Sequence, residues 1–262
     1  MQNIEFSIDK KGIAKVILNR PEMHNAFDDV TINELIEAFS SLDQNPDVRV
    51  LILSAKGKSF SAGADINWMK RMASYSVEEN QSDAMQLSVM LNKLYNLNIP
   101  TIARVQGAAF GGAVGLVACC DIAVGSKLSK FCFSEVKLGL IPATISPYVI
   151  DAIGAREAKR LFMTAEVISS RRARRLGLLS ETVSEDELDS TIDSIITHIL
   201  KNGPKAVAAA KKLVLDLANS PINEELMSAT SQKIADIRVS EEGQQGLSAF
   251  LNKSKPSWIG AL

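Results

Sequence analysis

The sequence predicts an α/β fold carrying a helical C-terminal part, on three observations. Its apolar residues switch repeatedly between a period of two and one near 3.6. Units of roughly 35 to 50 residues start near Val16, Val50 and Ile102, which suggests structural repeats although their sequences are unlike. From about Ser184 the strand patterns stop and only helical ones remain.

The elements follow in order. Ile4, Phe6 and Ile8 alternate with polar residues, Asp9 to Gly12 reads as a turn, and Ala14 to Leu18 forms a second strand, which makes an opening hairpin. Ile32, Leu35, Ile36, Phe39 and Leu42 recur at helical spacing before Asp47 to Leu53 returns to strand. A helix over Met85 to Tyr95 leads to a strand at Thr101 to Val105, a helix from Gly111 to Ala118, and short strands at Ile122 to Val124 and Phe131 to Phe133. Arg171, Arg172, Arg174 and Arg175 precede Leu176 and Gly177 and read as a helix ending at a glycine, its cations favoured by the dipole. The last helices are Leu188 to Leu200, Pro204 to Ala218, Ile222 to Val239 and Glu241 to Asn252, punctuated by Gly203-Pro204 and Ser220-Pro221. These have no sheet of their own to cover, so some of their apolar residues are expected to face another subunit.

Composition narrows the function. The 262 residues carry a formal net charge of -1, with neither a basic total nor a dominant basic block, which argues against nucleic acid or an anionic membrane surface as partner. The longest uncharged apolar stretch, Gly107 to Cys120, is well short of the ~20 residues that span a bilayer. Residues Met1 to Glu5 show neither a basic nor an apolar leader segment, so a cytoplasmic protein is expected. Cys119, Cys120 and Cys132 lack paired metal or redox spacing and read as buried thiols. With only His24 and His198, a serine-histidine-acid triad or a multi-histidine metal site is poorly supported, and no metal is expected.

Two segments carry the chemistry. Gly107 to Ile122 reads as a strand end, a glycine-rich turn at Gly111-Gly112 and a helix start, where unpaired N–H groups and the positive dipole end favour a ligand oxygen. Glu135 follows, between a strand and Gly139, as a candidate carboxylate facing that site. The second segment, Lys56 to Ile66, places small residues directly after a strand and leaves room for a ligand. Neither segment is a nucleotide loop: the Gly-Lys-Ser/Thr ending is missing, and three residues rather than one separate Gly107 from Gly111.

In order and spacing, Phe60-Ser61-Ala62-Gly63-Ala64-Asp65-Ile66, Gly107 with Gly111-Gly112, Cys120-Asp121-Ile122-Ala123 and Phe133 to Pro142 resemble the enoyl-CoA hydratase/isomerase (crotonase) superfamily. Asn19-Arg20-Pro21 with Asn25-Ala26-Phe27 resembles its early loop beside the CoA site, and Phe250 with Lys253 its C-terminal CoA-contacting pair. The resemblance implies a spiral of ββα units over 1–200 and a helical trimerisation region over 201–262, assembled as a homotrimer or homohexamer. It implies an oxyanion hole from the N–H groups of Ala64 and Gly112, and Glu135 as the acid/base at the α-carbon of an acyl-CoA thioester. Asn25, Ala26, Ala62, Asp65, Ile66, Asn67, Gly111, Phe250 and Lys253 correspond to its substrate and CoA contacts. No separate cofactor is expected, coenzyme A being part of the substrate.

One position departs from the pattern. Well-known hydratases of the superfamily carry a second glutamate three residues beyond the oxyanion glycine, where this chain has Gly115. Loss of that carboxylate is expected to open space and remove a charge beside the acyl chain. Absence of a side chain at Gly112 is likewise expected to give the thioester oxygen room. Gly107 to Asp121, and especially Ser134 to Tyr148, most resemble bacterial hydratases of branched, carboxylated thioesters, of the 3-methylglutaconyl-CoA and isohexenylglutaconyl-CoA type. Hydration of such a substrate is the favoured expectation. A Δ3-Δ2-enoyl-CoA isomerase with Glu135 as sole proton shuttle is the second, and a non-catalytic acyl-CoA-binding protein the third.

Overall fold

The computed structural model describes residues 1–218 and 220–260. β1 (Ile4–Ile8) and β2 (Ile13–Leu18) form the expected antiparallel hairpin, its turn held by the Asp9 carboxylate accepting from the N–H groups of Lys11 and Ile13. β3 (Val50–Ala55), β4 (Thr101–Val105), β6 (Ile122–Ser126) and β9 (Glu181–Val183) then add in parallel, giving the order β1-β2-β3-β4-β6-β9. A smaller sheet, β5-β7-β8, is built from β5 (Ala108–Phe110), β7 (Lys130–Cys132) and β8 (Ile168–Ser169).

Parallel strands buried on both faces need helices on each, and period two divides their side chains between two cores. Leu51, Leu53, Ala103 and Val105 face α1 (Asp29–Asp43), α3 (Val77–Tyr95) and α4 (Gly112–Cys119), meeting Leu35, Phe39, Met90, Leu94 and Leu116. Val50, Ile52, Ile102 and Val124 point the other way, onto Leu188, Ile192, Ile196 and Leu200 of α7 (Leu188–Leu200). Each buried Ile or Leu of that stripe contributes about 1.5 to 3 kcal/mol. This corrects the expectation that the helices from Leu188 onward lack a sheet to cover: α7 closes the second face of this one.

The remaining helices are α2 (Ile66–Met72), α5 (Ser146–Thr164), α6 (Ser170–Leu176), α8 (Pro204–Leu217), α9 (Glu224–Val239), α10 (Glu241–Leu251) and α11 (Ser257–Gly260). Of the helical region expected over 201–262, positions 219, 261 and 262 lie outside the described residues. α8 is tied to the body by Lys211, whose ammonium donates to Ile99 O and Asp121 Oδ2. α6 ends at Gly177 in the left-handed conformation, as its glycine suggests.

Three differences from the sequence reading have local causes. α3 starts at Val77 rather than Met85 because Ser76 and Glu79 form a reciprocal capping box, and its exposed polar first turns show no apolar period. α2 is short and starts where Asp65 caps it. α5 escapes periodicity because Gly154, at φ 76° and ψ 153°, breaks its helical phase.

Candidate active site

Ser61 forms a parallel bridge with Ala109, and the two segments run on side by side. Phe60 N–H donates to Gln106 O, Ser61 N–H to Ala108 O, and Phe110 N–H to Ser61 O. Three positions beyond the bridge on each segment stand Ala64 and Gly112. Among the described residues neither N–H finds an acceptor: Gly112 is the first residue of α4, where a helix amide has no carbonyl a turn earlier to meet.

Phe27 joins the two. Its N–H donates to Gly63 O at 2.9 Å and its C=O accepts from Asp65 N–H at 3.0 Å. The Gly63–Ala64 peptide is planar and trans, so anchoring Gly63 O on Phe27 turns the Ala64 N–H to the opposite side. The Phe27 ring, fully buried, lies against Gly112, where an added Cβ would stand 2.7 Å from its Cζ. Crowding at Gly112 therefore falls on Phe27, which replaces the expectation that the absent side chain makes room for a thioester oxygen.

Glu135 arrives from the small sheet. Pairing of Phe110 with Cys132, and of Gly111 N–H with Cys132 O, sets the start of α4 beside the segment that leads into a 3-10 turn over Glu135–Leu138. Gly139 ends that turn at φ 73°. Glu135 Oε2 is buried without a hydrogen-bond partner, and burial pushes the carboxyl above its ordinary value. Gly111, at φ 55°, gives it room: a Cβ there would sit 3.3 Å from Glu135 Oε1. At the mouth of α4 a desolvated carboxyl thus lies beside Gly111, one residue before the unpaired Gly112 N–H, and the neighbouring segment carries a second unpaired N–H at Ala64. Amide donors with such a carboxyl suit holding a developing oxyanion while a proton moves.

Gly115 does not border open space. A Cβ on it would meet Ile145 Cγ2 at 2.3 Å and Leu91 Cδ2 at 3.4 Å. Ile145 is almost fully buried, so its side chain cannot swing aside into solvent. This overturns the expected vacancy: hydrophobic packing occupies the direction in which a second carboxylate would leave the helix. Gly115→Ala is expected to cost about 1 to 3 kcal/mol, and much less in an Ile145→Ala background. Chemical denaturation of the four proteins measures that coupling, and additive losses would show that the two positions do not compete for space.

The other sequence candidates divide by location. Asn25 and Ala26 are buried under the site; Asn25, at φ 54°, accepts from Arg20 N–H and donates to Lys56 O and Ser59 O, holding the loop after β3. Ala62, Ile66 and Asn67 are exposed along its rim. The Asp65 carboxylate is turned inward: Oδ1 accepts from the N–H groups of Asn67 and Trp68, and Oδ2 from Arg20 Nη2. Burial opposes its ionisation, but these amides and the guanidinium outweigh that and hold the carboxyl below its ordinary value. Phe250 and Lys253 lie at the exposed end of α10, which packs on α8 and α9. Burial raises all three thiols, which argues against thiolate chemistry. The roles of Arg20, Phe27 and Ile145 are invisible in the sequence, where no local spacing links them to the residues they touch.

Residues 9–261 match the family model for enoyl-CoA hydratase/isomerase. A crystal structure from Legionella pneumophila, described as an enoyl-CoA hydratase/isomerase (crotonase), is 47% identical with a TM-score of 0.93 over 98% of each chain. That of an enoyl-CoA hydratase from Shewanella pealeana is 43% identical with a TM-score of 0.95, covering 98% of this chain and 96% of the other. A protein of Syntrophomonas wolfei named crotonyl-CoA hydratase is 30% identical over 260 residues, 98% of both chains.

Proposed function

The chain belongs to the enoyl-CoA hydratase/isomerase family, a family of enzymes, and on that premise we propose that it adds water across the α,β double bond of a branched or carboxylated acyl-CoA thioester of the 3-methylglutaconyl-CoA kind. One observation carries the reading: the buried Glu135 carboxyl, its Oε2 without a hydrogen-bond partner, stands at the mouth of α4 against Gly111, and the N–H groups of Gly112 and Ala64 have no acceptor among the described residues. In the proposed reaction the Glu135 carboxylate takes a proton from water as its oxygen bonds to the β-carbon. The π electrons move onto the thioester oxygen, where the two amides hold the charge. The α-carbon then takes the proton back from Glu135, and the carbonyl re-forms. Donors preorganised at such an oxyanion are worth roughly 2.7 to 4 kcal/mol each.

A carboxylated acyl chain is favoured by charge rather than by room. With Gly115 at the second position, an acyl carboxylate meets one negative neighbour fewer in a low-dielectric site. The same single carboxylate supports a second reading, isomerisation, in which Glu135 takes a proton from C2 of a 3-enoyl thioester and returns it at C4. Crotonyl-CoA, 3-methylglutaconyl-CoA and a 3-enoyl-CoA assayed in parallel separate these readings. The expected result is the highest kcat/KM for hydration of 3-methylglutaconyl-CoA. Preference for crotonyl-CoA removes the substrate proposal, 3-enoyl turnover without hydration establishes the isomerase, and binding without turnover leaves only an acyl-CoA carrier.

We also propose a cytoplasmic homotrimer or homohexamer. Ala206, Ala210, Leu213, Ile234 and Ile237 line an apolar groove between α8 and α9, and Met227, Val239 and Leu247 are exposed nearby in sequence, which suits contact with a second copy. Lys253 would then be available to a neighbour's CoA phosphates. Light scattering of the preparation used in the substrate assays tests this, a fully active monomer being the contrary result. No helix among the described residues is long and apolar enough to cross a membrane.

A further inference from the structure

We infer that Arg20 is the positioning residue for the Ala64 donor, holding from both sides the backbone bridge that aims it. The inference rests on the proposed role of that amide. The direction of the Ala64 N–H depends on Gly63 O staying on Phe27 N–H, because the two groups belong to one rigid peptide plane. Nothing at Ala64 itself can enforce this, since its side chain is a methyl group. Arg20 can. Its Nη1 donates to Ala26 O at 2.9 Å, immediately before Phe27, and to Asp28 Oδ2 at 3.2 Å, immediately after it. Its Nη2 donates to Asp65 Oδ2 at 3.0 Å, immediately after Ala64.

One planar guanidinium therefore spans both strands of the bridge. The two carboxylates it grips are also helix caps. Asp28 accepts from Thr31 N–H at the start of α1, and Asp65 from Asn67 and Trp68 N–H at the start of α2. Each carboxylate is thus fixed at a helix end as well as by Arg20, and the Phe27–Ala64 bridge sits between two rigid posts. Lysine retains the charge but offers no fixed fork that reaches three acceptors at set angles.

Steady-state kinetics and vibrational spectroscopy of Arg20→Lys test the inference. The expected result is a kcat lower by about 10- to 100-fold, a KM changed far less, and a wild-type near-ultraviolet circular dichroism spectrum. Asp65→Asn, which keeps a capping oxygen but weakens the grip on Arg20, is expected to show the same split in smaller measure. The spectroscopic probe is crotonyl-CoA labelled with ¹³C at the carbonyl and bound to Glu135→Gln protein, so that it is not consumed. Its carbonyl band is expected to move to lower frequency on binding, and to lose most of that shift when Arg20→Lys is added. A full shift in the double variant, a KM that rises with kcat unchanged, or a loss of activity that merely follows the folded fraction overturns the inference. Absence of any shift with Arg20 intact overturns the donor assignment itself, and the inference with it.

Discussion

Replacing Glu135 by glutamine is expected to lower kcat by about 10²-fold or more while leaving the fold and thioester binding in place. Glutamine matches the carboxylate in shape, and Oε2 has no hydrogen bond to lose, so packing around the 3-10 turn is undisturbed. What disappears is the ability to accept and return a proton. Hydration and isomerisation as proposed both begin from the carboxylate, so wild-type activity is expected to rise with pH through a value above the ordinary 4.5 of a glutamate, in the direction burial drives it. Stability runs the opposite way. The native carboxyl binds its proton more tightly than the unfolded one, so the stability it contributes is full below the unfolded value and is lost as pH rises through the native value. Glu135→Gln removes that loss, and its melting temperature is expected to exceed that of the wild type near neutral pH but not in acid. Turnover like that of the wild type with glutamine in place would sink the assignment.

The second large effect is expected at Gly112, where two causes can be separated. Valine there drives its Cβ into Phe27, and because Phe27 holds Gly63 and Asp65 the disturbance reaches the Ala64 amide as well. A loss of about 10² to 10³ in kcat is expected, with about 1 to 3 kcal/mol of stability. Proline adds the same Cβ and also deletes the N–H, at a first helical position whose backbone otherwise accepts it. Shortening the ring by Phe27→Leu relieves the contact. Activity is expected to recover substantially in Gly112→Ala/Phe27→Leu, where the donor survives, and to stay lost in Gly112→Pro/Phe27→Leu. Equal recovery in both would mean that space, and not the amide, is what Gly112 contributes.

Much of the framework is written in local pattern. Alternation in Ile4 to Leu18, the helical spacing of Ile32 to Leu42 and the apolar run Val50 to Leu53 place β1, β2, α1 and β3, because periods of two and 3.6 are properties of neighbouring residues. Gly111-Gly112 and Gly139 mark the start of α4 and the end of the Glu135 turn for the same reason: each is a backbone requirement met by one or two adjacent residues. Motif order along the chain was enough to indicate the family.

Contacts between distant segments were decided elsewhere. Arg20 meets Asp65 across 45 positions and Asn25 meets Ser59 across 34, and no local period carries such a pairing. The stripe on α7 is visible as an amphipathic helix, yet its burial against Val50, Ile52, Ile102 and Val124 follows from which face of the assembled sheet was left uncovered. Glycine marks a missing side chain without saying what stands opposite. At Gly112 that neighbour is Phe27 and at Gly115 it is Ile145, because close packing fills whatever volume a missing Cβ leaves with the nearest side chain in space, wherever it lies in the chain. By itself the sequence determined the opening hairpin, most strands of the main sheet, the glycine-marked start of α4 and the candidate carboxylate, while α2, α5 and the short strands β5, β8 and β9 escaped it. Tertiary packing alone decided what aims the Ala64 N–H and what closes the second carboxylate position, since both depend on atoms that only the folded chain brings together.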